Sequence, residues 1–351
     1  MKYPSLGYVT CATLLIAIAA VAVTKGPPGP VSSRNDILAA SGYTMGCTWS
    51  VKLARPPAAD PQPAIQSLLD RLNAQMSNYD PNSDLSRFNA SPSTNWQPVP
   101  PDLAKVVAQS LEISAQTRGA FDVTVAPLVN LWGFGPEPAG LRLGRVPSDA
   151  EIAAARAHVG YQHLHARPNP PALKKEDPAL QIDLGAIAKG YAADAVAAHL
   201  DSLNITDYLV TIGGEVKAKG LSPSHRPWQI GIEAPAPDLR RVLHTLPLHD
   251  LALSTSGDYR NFFSMNGRRY CHEINPLTGY PIDPNTSPAS VSVAHPSATQ
   301  ADAYATALIV LGPIEGRARA EELHLPVLFV IRASDRFDSR PTSTFNHLLN
   351  R

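Results

Sequence analysis

Ser290-Val291-Ser292-Val293-Ala294 alternates polar and apolar residues and reads as a strand. Just beyond it, Thr299-Gln300-Ala301-Asp302-Ala303-Tyr304-Ala305-Thr306-Ala307-Leu308 opens a helix that runs to about Leu311, with Gly312 as its stop. Asp302 and Thr306 are four apart, so both oxygens project from one face, one turn apart. A carboxylate and a hydroxyl so placed suit a hard divalent cation, which prefers oxygen ligands. The same spacing also suits a local side-chain contact or a solvated face, and the pair alone does not choose between them.

Working outward, Thr48 to Leu53 reads as a first strand, and Ile65, Leu68, Leu69, Leu72 and Met76 repeat at helical spacing. Leu103, Val106, Val107 and Leu111 mark a second helix that stops near Gly119, and Ser148-Asp149-Ala150-Glu151 is a capping box that opens a third. Ala179 to Asp183 reads as a short strand before a helix from Ala186 to Leu200. Tyr208 to Ile212, Trp228 to Ile232, Val242 to Leu246, Pro288 to Ala294 and Val327 to Ile331 read as strands, with Gly213-Gly214 turning sharply after the first. Helices and strands intersperse without regular βαβ alternation, which predicts a single α+β domain with mixed sheets and packed helices.

The chain has 351 residues, 44% of them apolar and 17% charged, and its thirty basic and thirty acidic residues cancel. That is ordinary globular composition, without the basic excess of a nucleic-acid partner. Lys2 precedes an uncharged run, Val9 to Val23, which suits a secretory h-region and is short for a spanning helix. Residues 1–24 are therefore expected to be a signal peptide or an inner-membrane anchor, 25–40 a Gly/Pro/Ser-rich linker and 41–351 the folded domain. On either alternative the body is exported, and periplasmic. Cys11, Cys47 and Cys271 lack the spacing of a zinc or iron–sulfur site. A Cys47–Cys271 disulfide is conceivable outside the cytoplasm but does not follow from the sequence.

Five further segments are rich in glycine and small polar residues. They are Gly42-Tyr43-Thr44-Met45-Gly46-Cys47-Thr48-Trp49, Met76-Ser77-Asn78-Tyr79-Asp80, the run from Gly119-Ala120-Phe121-Asp122 to Gly135, Ile182-Asp183-Leu184-Gly185-Ala186-Ile187-Ala188-Lys189-Gly190-Tyr191, and Ser254 to Phe263 with its continuation His272-Glu273-Ile274-Asn275-Pro276-Leu277-Thr278-Gly279-Tyr280-Pro281. In this order, with the Asp302 segment, they closely resemble the FAD:protein FMN transferase (ApbE-like) family from residue 41 to about 331. The resemblance implies Mg²⁺ held by Asp302, Thr306 and the backbone carbonyl of Ala186. It also implies FAD contacted by Met45, Tyr79, Ala120, Phe121, Asp122, Asp183, Lys189 and Ile274. Gly133-Phe134-Gly135-Pro136 lacks the third glycine of a dinucleotide fingerprint, so the cradle is not expected to be of Rossmann type.

The residues support parts of this on their own terms. Ile182 to Ala186 turns at a glycine into a helix start, where free N–H groups favour phosphate, and Lys189 adds a positive charge. His272 is the candidate general base, since a neutral imidazole can take the proton of an attacking hydroxyl near pH 7. Asn275 stands where the family usually has Asp, a change that adjusts base strength or loop geometry. Cys47 and Trp49 also replace the more usual Thr and Tyr. Thr255, Ser256, Arg260 and the Gly213-Gly214-Glu215 turn are left outside the ligand set. The expected reaction is Mg²⁺-dependent transfer of FMN from FAD to a Thr or Ser of an exported flavoprotein, with release of AMP. By resemblance the acceptors are subunits of sodium-pumping NADH:quinone oxidoreductase or Rnf-type complexes. An FAD pyrophosphatase and a non-catalytic periplasmic FAD carrier are the alternatives.

Overall fold

A computed structural model describes residues 38–136, 145–236, 241–333 and 336–349. The expected targeting run 1–24, Cys11 and all but the last residues of the linker lie outside them. The core is an eight-stranded sheet whose strand order follows the chain: Leu38–Thr44, Cys47–Leu53, Tyr208–Ile212, Glu215–Lys219, Ala252–Gly257, Ser290–His295, Val327–Arg332 and Phe337–Pro341. Every neighbouring pair is antiparallel. The α+β expectation holds, and no parallel pair exists in this sheet on which a dinucleotide crossover could be built.

Turn chemistry sets the register. Met45 (φ 46°) and Gly46 (φ 71°) form a two-residue hairpin, as do Gly213 (φ 61°) and Gly214 (φ 117°). Positive φ at both central positions matches the right-handed twist of the strands. The first of these hairpins begins with Leu38–Thr44, a strand that starts inside the expected linker.

Both sheet faces are buried. Val327 and Phe329 face a cluster with the helices Gln62–Met76, Pro101–Gln116, Ala188–Ser202 and Ala298–Glu322, whereas Leu328 and Val330 face the ribbon Trp228–Glu233/Val242–Leu248 and the helix Ser343–Leu349. The period of two thus gives one strand two hydrophobic partners. Among the described residues no helix is long and apolar enough to cross a membrane.

One expected element differs. Ala179–Asp183 is not a strand: Ala179 lies in a turn and Leu180–Asp183 have no regular structure. The Asn89 side chain takes both backbone groups of Ile182, accepting from its N–H and donating to its C=O at 2.8 Å each, and Asp183 N–H donates to the Val123 carbonyl at 2.7 Å. A side-chain amide there replaces a neighbouring strand, which satisfies the same groups without a ladder. The Asp302 helix stops at Gly312 as expected, where the chain breaks (φ 81°, ψ −177°), and a second helical segment begins at Pro313 and runs to Glu322. Glycine supplies the break, and Pro313 starts the second segment where no N–H is needed.

Candidate active site

The Ala188–Ser202 and Ala298–Glu322 helices touch at Gly190. A Cβ there would meet the Ala298 carbonyl oxygen at 2.3 Å and the Asp302 Cβ at 2.9 Å, so only glycine admits the approach. One turn on, the Asp194 carboxylate caps the Asp302 helix. It accepts from the N–H groups of Ala298 and Thr299 at 2.9 Å each and from the hydroxyls of Ser297 and Thr299 at 2.7 Å each. Asp302 is thereby fixed in rotation and depth. It is only 4% exposed, so its helix face is not a solvated one.

The Gly190 N–H donates to Asp302 Oδ2 at 3.0 Å. It is a first-turn amide of a helix capped at Ile187, so it has no carbonyl partner inside the helix. Among the described residues no backbone amide takes the Ala186 oxygen. Thr306, one turn beyond Asp302, shares a 3.0 Å hydrogen bond with Ser256. A buried carboxylate, a backbone carbonyl outside the helix ladder and a hydroxyl form an all-oxygen donor set that fits Mg²⁺, which also takes water and phosphate oxygens. No group of three or more His, Cys, Asp or Glu side chains is placed to hold a metal among the described residues; this set contains one carboxylate only. Burial raises the Asp302 pKa from 3.8 to about 7, with Lys189 opposing the shift.

Lys189 bonds Glu215 at 2.8 Å. Although burial alone would lower it, nearby Asp302 and Glu215 hold its pKa above the ordinary lysine value. The second Glu215 oxygen, Oε2, is buried without a hydrogen-bond partner among the described residues. Glu215 therefore forms part of the wall of the site, although the sequence reading left it outside the ligand set. A charged residue directly after Gly213-Gly214 was the available signal.

All twelve expected site residues line one cavity of about 1280 Å³, larger than the ~300–1,000 Å³ of most small-molecule sites. Their exposures differ. Tyr79 stands at the mouth, 68% exposed, with its hydroxyl donating to the Phe134 carbonyl at 3.3 Å, while Met45 sits on the hairpin turn. Ala120 and Phe121 belong to the hydrophobic core, and Ile274 packs with Leu128, Trp132 and Ile152. The Asp122 carboxylate accepts from the Thr124 N–H (2.8 Å) and hydroxyl (2.7 Å) and from the Tyr161 N–H (2.8 Å). It holds a loop in place with both oxygens, so it is not an idle acceptor. Asp183 Oδ1 accepts from the Gly185 N–H at 2.7 Å, and burial raises the Asp183 pKa.

His272 occupies another wall, half-buried. Its Nδ1 lies 3.2 Å from the Asn261 carbonyl oxygen, which can only accept, so this nitrogen carries the proton. Nε2 of the neutral ring then holds the lone pair, 3.7 Å from Glu273 Oε1. Glu273 is buried, and burial raises its pKa, with the Lys189 charge opposing the shift. Asn275 Oδ1 accepts from the N–H groups of Leu277 (2.9 Å) and Thr278 (3.3 Å), fixing the Asn275–Gly279 turn, a role an Asp oxygen would fill equally. Cys47 and Cys271 are free thiols. Cys47 lies beside Gly213 and Lys189, and burial lifts its pKa to about 11.

The structure is an antiparallel α+β domain in which Asp302, Thr306, Lys189 and His272 line one large cavity. The chain belongs to the ApbE family, whose model matches residues 45–329. The FAD:protein FMN transferase of Vibrio cholerae is 41% identical over 341 residues, covering 96% of this chain and 99% of that one. The solved flavin transferase ApbE of Vibrio cholerae superposes with a TM-score of 0.81 at 42% identity, over 90% of this chain and 99% of that chain. The apo flavinyl transferase ApbE of Pseudomonas stutzeri gives 0.80 at 41%, over 90% and 98%.

Proposed function

We propose that this chain is an Mg²⁺-dependent FAD:protein FMN transferase. The observation that carries the reading is that His272, Ala186, Asp302 and Thr306 line one cavity together with Lys189, which pairs with Glu215. His272 Nε2 takes the proton from a Thr or Ser hydroxyl of the acceptor, and the hydroxyl oxygen attacks the FMN-side phosphorus. A new P–O bond forms as the pyrophosphate bond breaks, and AMP leaves with the bridging oxygen and its electron pair. Asp302, Thr306 and the Ala186 carbonyl would hold the Mg²⁺, whose chemistry at such a site is charge neutralisation and polarisation of the phosphoryl group. Lys189, kept cationic by Glu215 and Asp302, offsets charge on the phosphates. Met45 and Tyr79 offer apolar and aromatic surface to the planar flavin, and the Ala120-Phe121-Asp122 and Ile274 backbones shape the pocket around it.

The acceptors proposed are exported domains of sodium-pumping NADH:quinone oxidoreductase or Rnf-type complexes. The test is incubation with FAD, Mg²⁺ and a purified Rnf-type acceptor domain, followed by denaturing electrophoresis. Covalent flavin fluorescence on the acceptor, absent with EDTA, is the expected result. FMN and AMP released with an unlabelled acceptor would instead indicate a hydrolase, and unchanged FAD a carrier.

The domain is proposed to work outside the cytoplasmic membrane, on the strength of Lys2 and the apolar run Val9 to Val23. A reporter active only after export, fused after residue 351, should therefore be active. A silent reporter on a cytoplasmic protein would remove exported domains from the list of acceptors.

A further inference from the structure

His272 directly follows the hairpin Phe262–Met265/Arg268–Cys271, which forms a two-stranded sheet of its own, separate from the eight-stranded one. Its base closes where the His272 N–H donates to the Asn261 carbonyl at 3.0 Å, the same oxygen that receives the imidazole Nδ1–H. Wherever this hairpin sits, the imidazole goes with it.

Pairing gives the hairpin two unlike faces. Phe263 and Tyr270 are directly opposed and stack with centroids 5.2 Å apart. Tyr270 then stacks on Trp132 at 5.4 Å, and Phe263 lies 5.7 Å from Phe134, whose ring meets His272 edge-on at 6.4 Å. Aromatic contacts of this kind fix distance well but leave sliding within the plane of the rings soft.

The other face carries Arg269. Its guanidinium covers the Phe262 ring at 4.7 Å and donates to Asp258 Oδ2 at 2.9 Å. Asp258 is fully buried, just past the strand Ala252–Gly257. Arg332, on the strand Val327–Arg332, donates to both of its oxygens, through NH1 at 2.8 Å and through a close NH2 contact. A two-pronged arginine contact of this sort is directional as well as strong. Arg332 thus locks Asp258 to the central sheet, and Asp258 presents one oxygen to Arg269. Among the described residues this is an ion-paired tie between the His272 hairpin and the eight-stranded sheet.

We infer that Arg269 is a positioning residue for flavin transfer: through Asp258 and Arg332 it sets the His272 imidazole at the correct depth in the cavity. The inference rests on His272 as base. Arg269 touches neither the cavity oxygens nor the imidazole, and Asp258 keeps Arg332 as a counter-ion when Arg269 is removed, so the buried carboxylate is not orphaned.

In Arg269→Ala, transfer to the acceptor domain is expected to fall roughly 10- to 100-fold, the scale of an ångström-level misplacement of a reacting group, with FAD binding unchanged. Arg269→Lys should restore much of the rate by restoring the charge on Asp258. Combined with His272→Ala, Arg269→Ala should add nothing, because the group it positions is gone. Independently of activity, the ring signal of His272 in ¹³C-histidine NMR, assigned by its loss in His272→Ala, should shift or broaden in Arg269→Ala and return in Arg269→Lys. If Arg269→Ala does not fold, Arg269→Gln, which keeps the reach over Phe262, takes its place. A wild-type rate with an unmoved His272 signal overturns the inference. So does a parallel loss of FAD binding, or a full additional loss on top of His272→Ala. If His272→Ala itself transfers normally, the base assignment fails, while the ring signal still reports whether Arg269 places the imidazole.

Discussion

Asp302→Asn should reduce flavin transfer to background while leaving the fold intact. The amide oxygen can still accept the Gly190 N–H bond, so the helix crossing survives, but the one anionic oxygen donor of the set is gone. Because burial lifts the Asp302 pKa from 3.8 to about 7, the folded protein holds a proton that the unfolded chain releases between those values. Stability contributed by the protonated group is therefore complete below pH 3.8 and declines as pH rises through about 7 in metal-free protein. Mg²⁺ binds the ionised form, so added Mg²⁺ should raise the melting temperature most at and above pH 7. Asp302→Asn should lose both the pH-dependent decline and the Mg²⁺ effect. Melting curves with Mg²⁺ or EDTA across this range, beside transfer assays, decide the matter. Near-native transfer by the Asn variant, insensitive to EDTA, would remove Asp302 from the metal set.

His272→Ala is expected to separate chemistry from binding. Loss of a positioned general base costs about 10²–10⁴-fold in rate. FAD affinity should barely move, because the lone pair on Nε2 addresses the acceptor hydroxyl and the ring itself is anchored through Nδ1 to Asn261. Quenching of flavin fluorescence measures the first quantity and single-turnover transfer the second. An equal fall in both would make His272 a ligand-binding residue and leave the base unassigned.

Much of this protein could be read from the order of its residues. Alternation in Ser290–Ala294 and the 3.6-residue repeat of Ile65, Leu69, Leu72 and Met76 are consequences of where side chains point along a strand or helix. They gave the main elements to within a few residues. The capping box at Ser148 formed as written, because both partners lie within four residues of each other. Gathering twelve distant residues into one cavity was legible only through the family-like motifs, each of which is local in the chain.

What escaped the sequence depends on partners far along the chain. Ile182 looked like a strand residue because its apolar character is the same whether its backbone bonds a strand or the Asn89 side chain, 93 positions away. Asp302 and Thr306 suggested a cation pair, but the bond by which the first-turn Gly190 amide holds the Asp302 carboxylate needs two helices in contact across 112 positions. Glu215, Asp258 and Arg269 carry no periodic signal, since a charge reads alike whether it is solvated or buried against an opposite charge. The sequence by itself determined many of the elements, the α+β class and the motif residues, because these follow from local sterics and side-chain direction. The tertiary structure alone decided which charges are buried and paired, because desolvation and ion pairing depend on distances that no local pattern encodes.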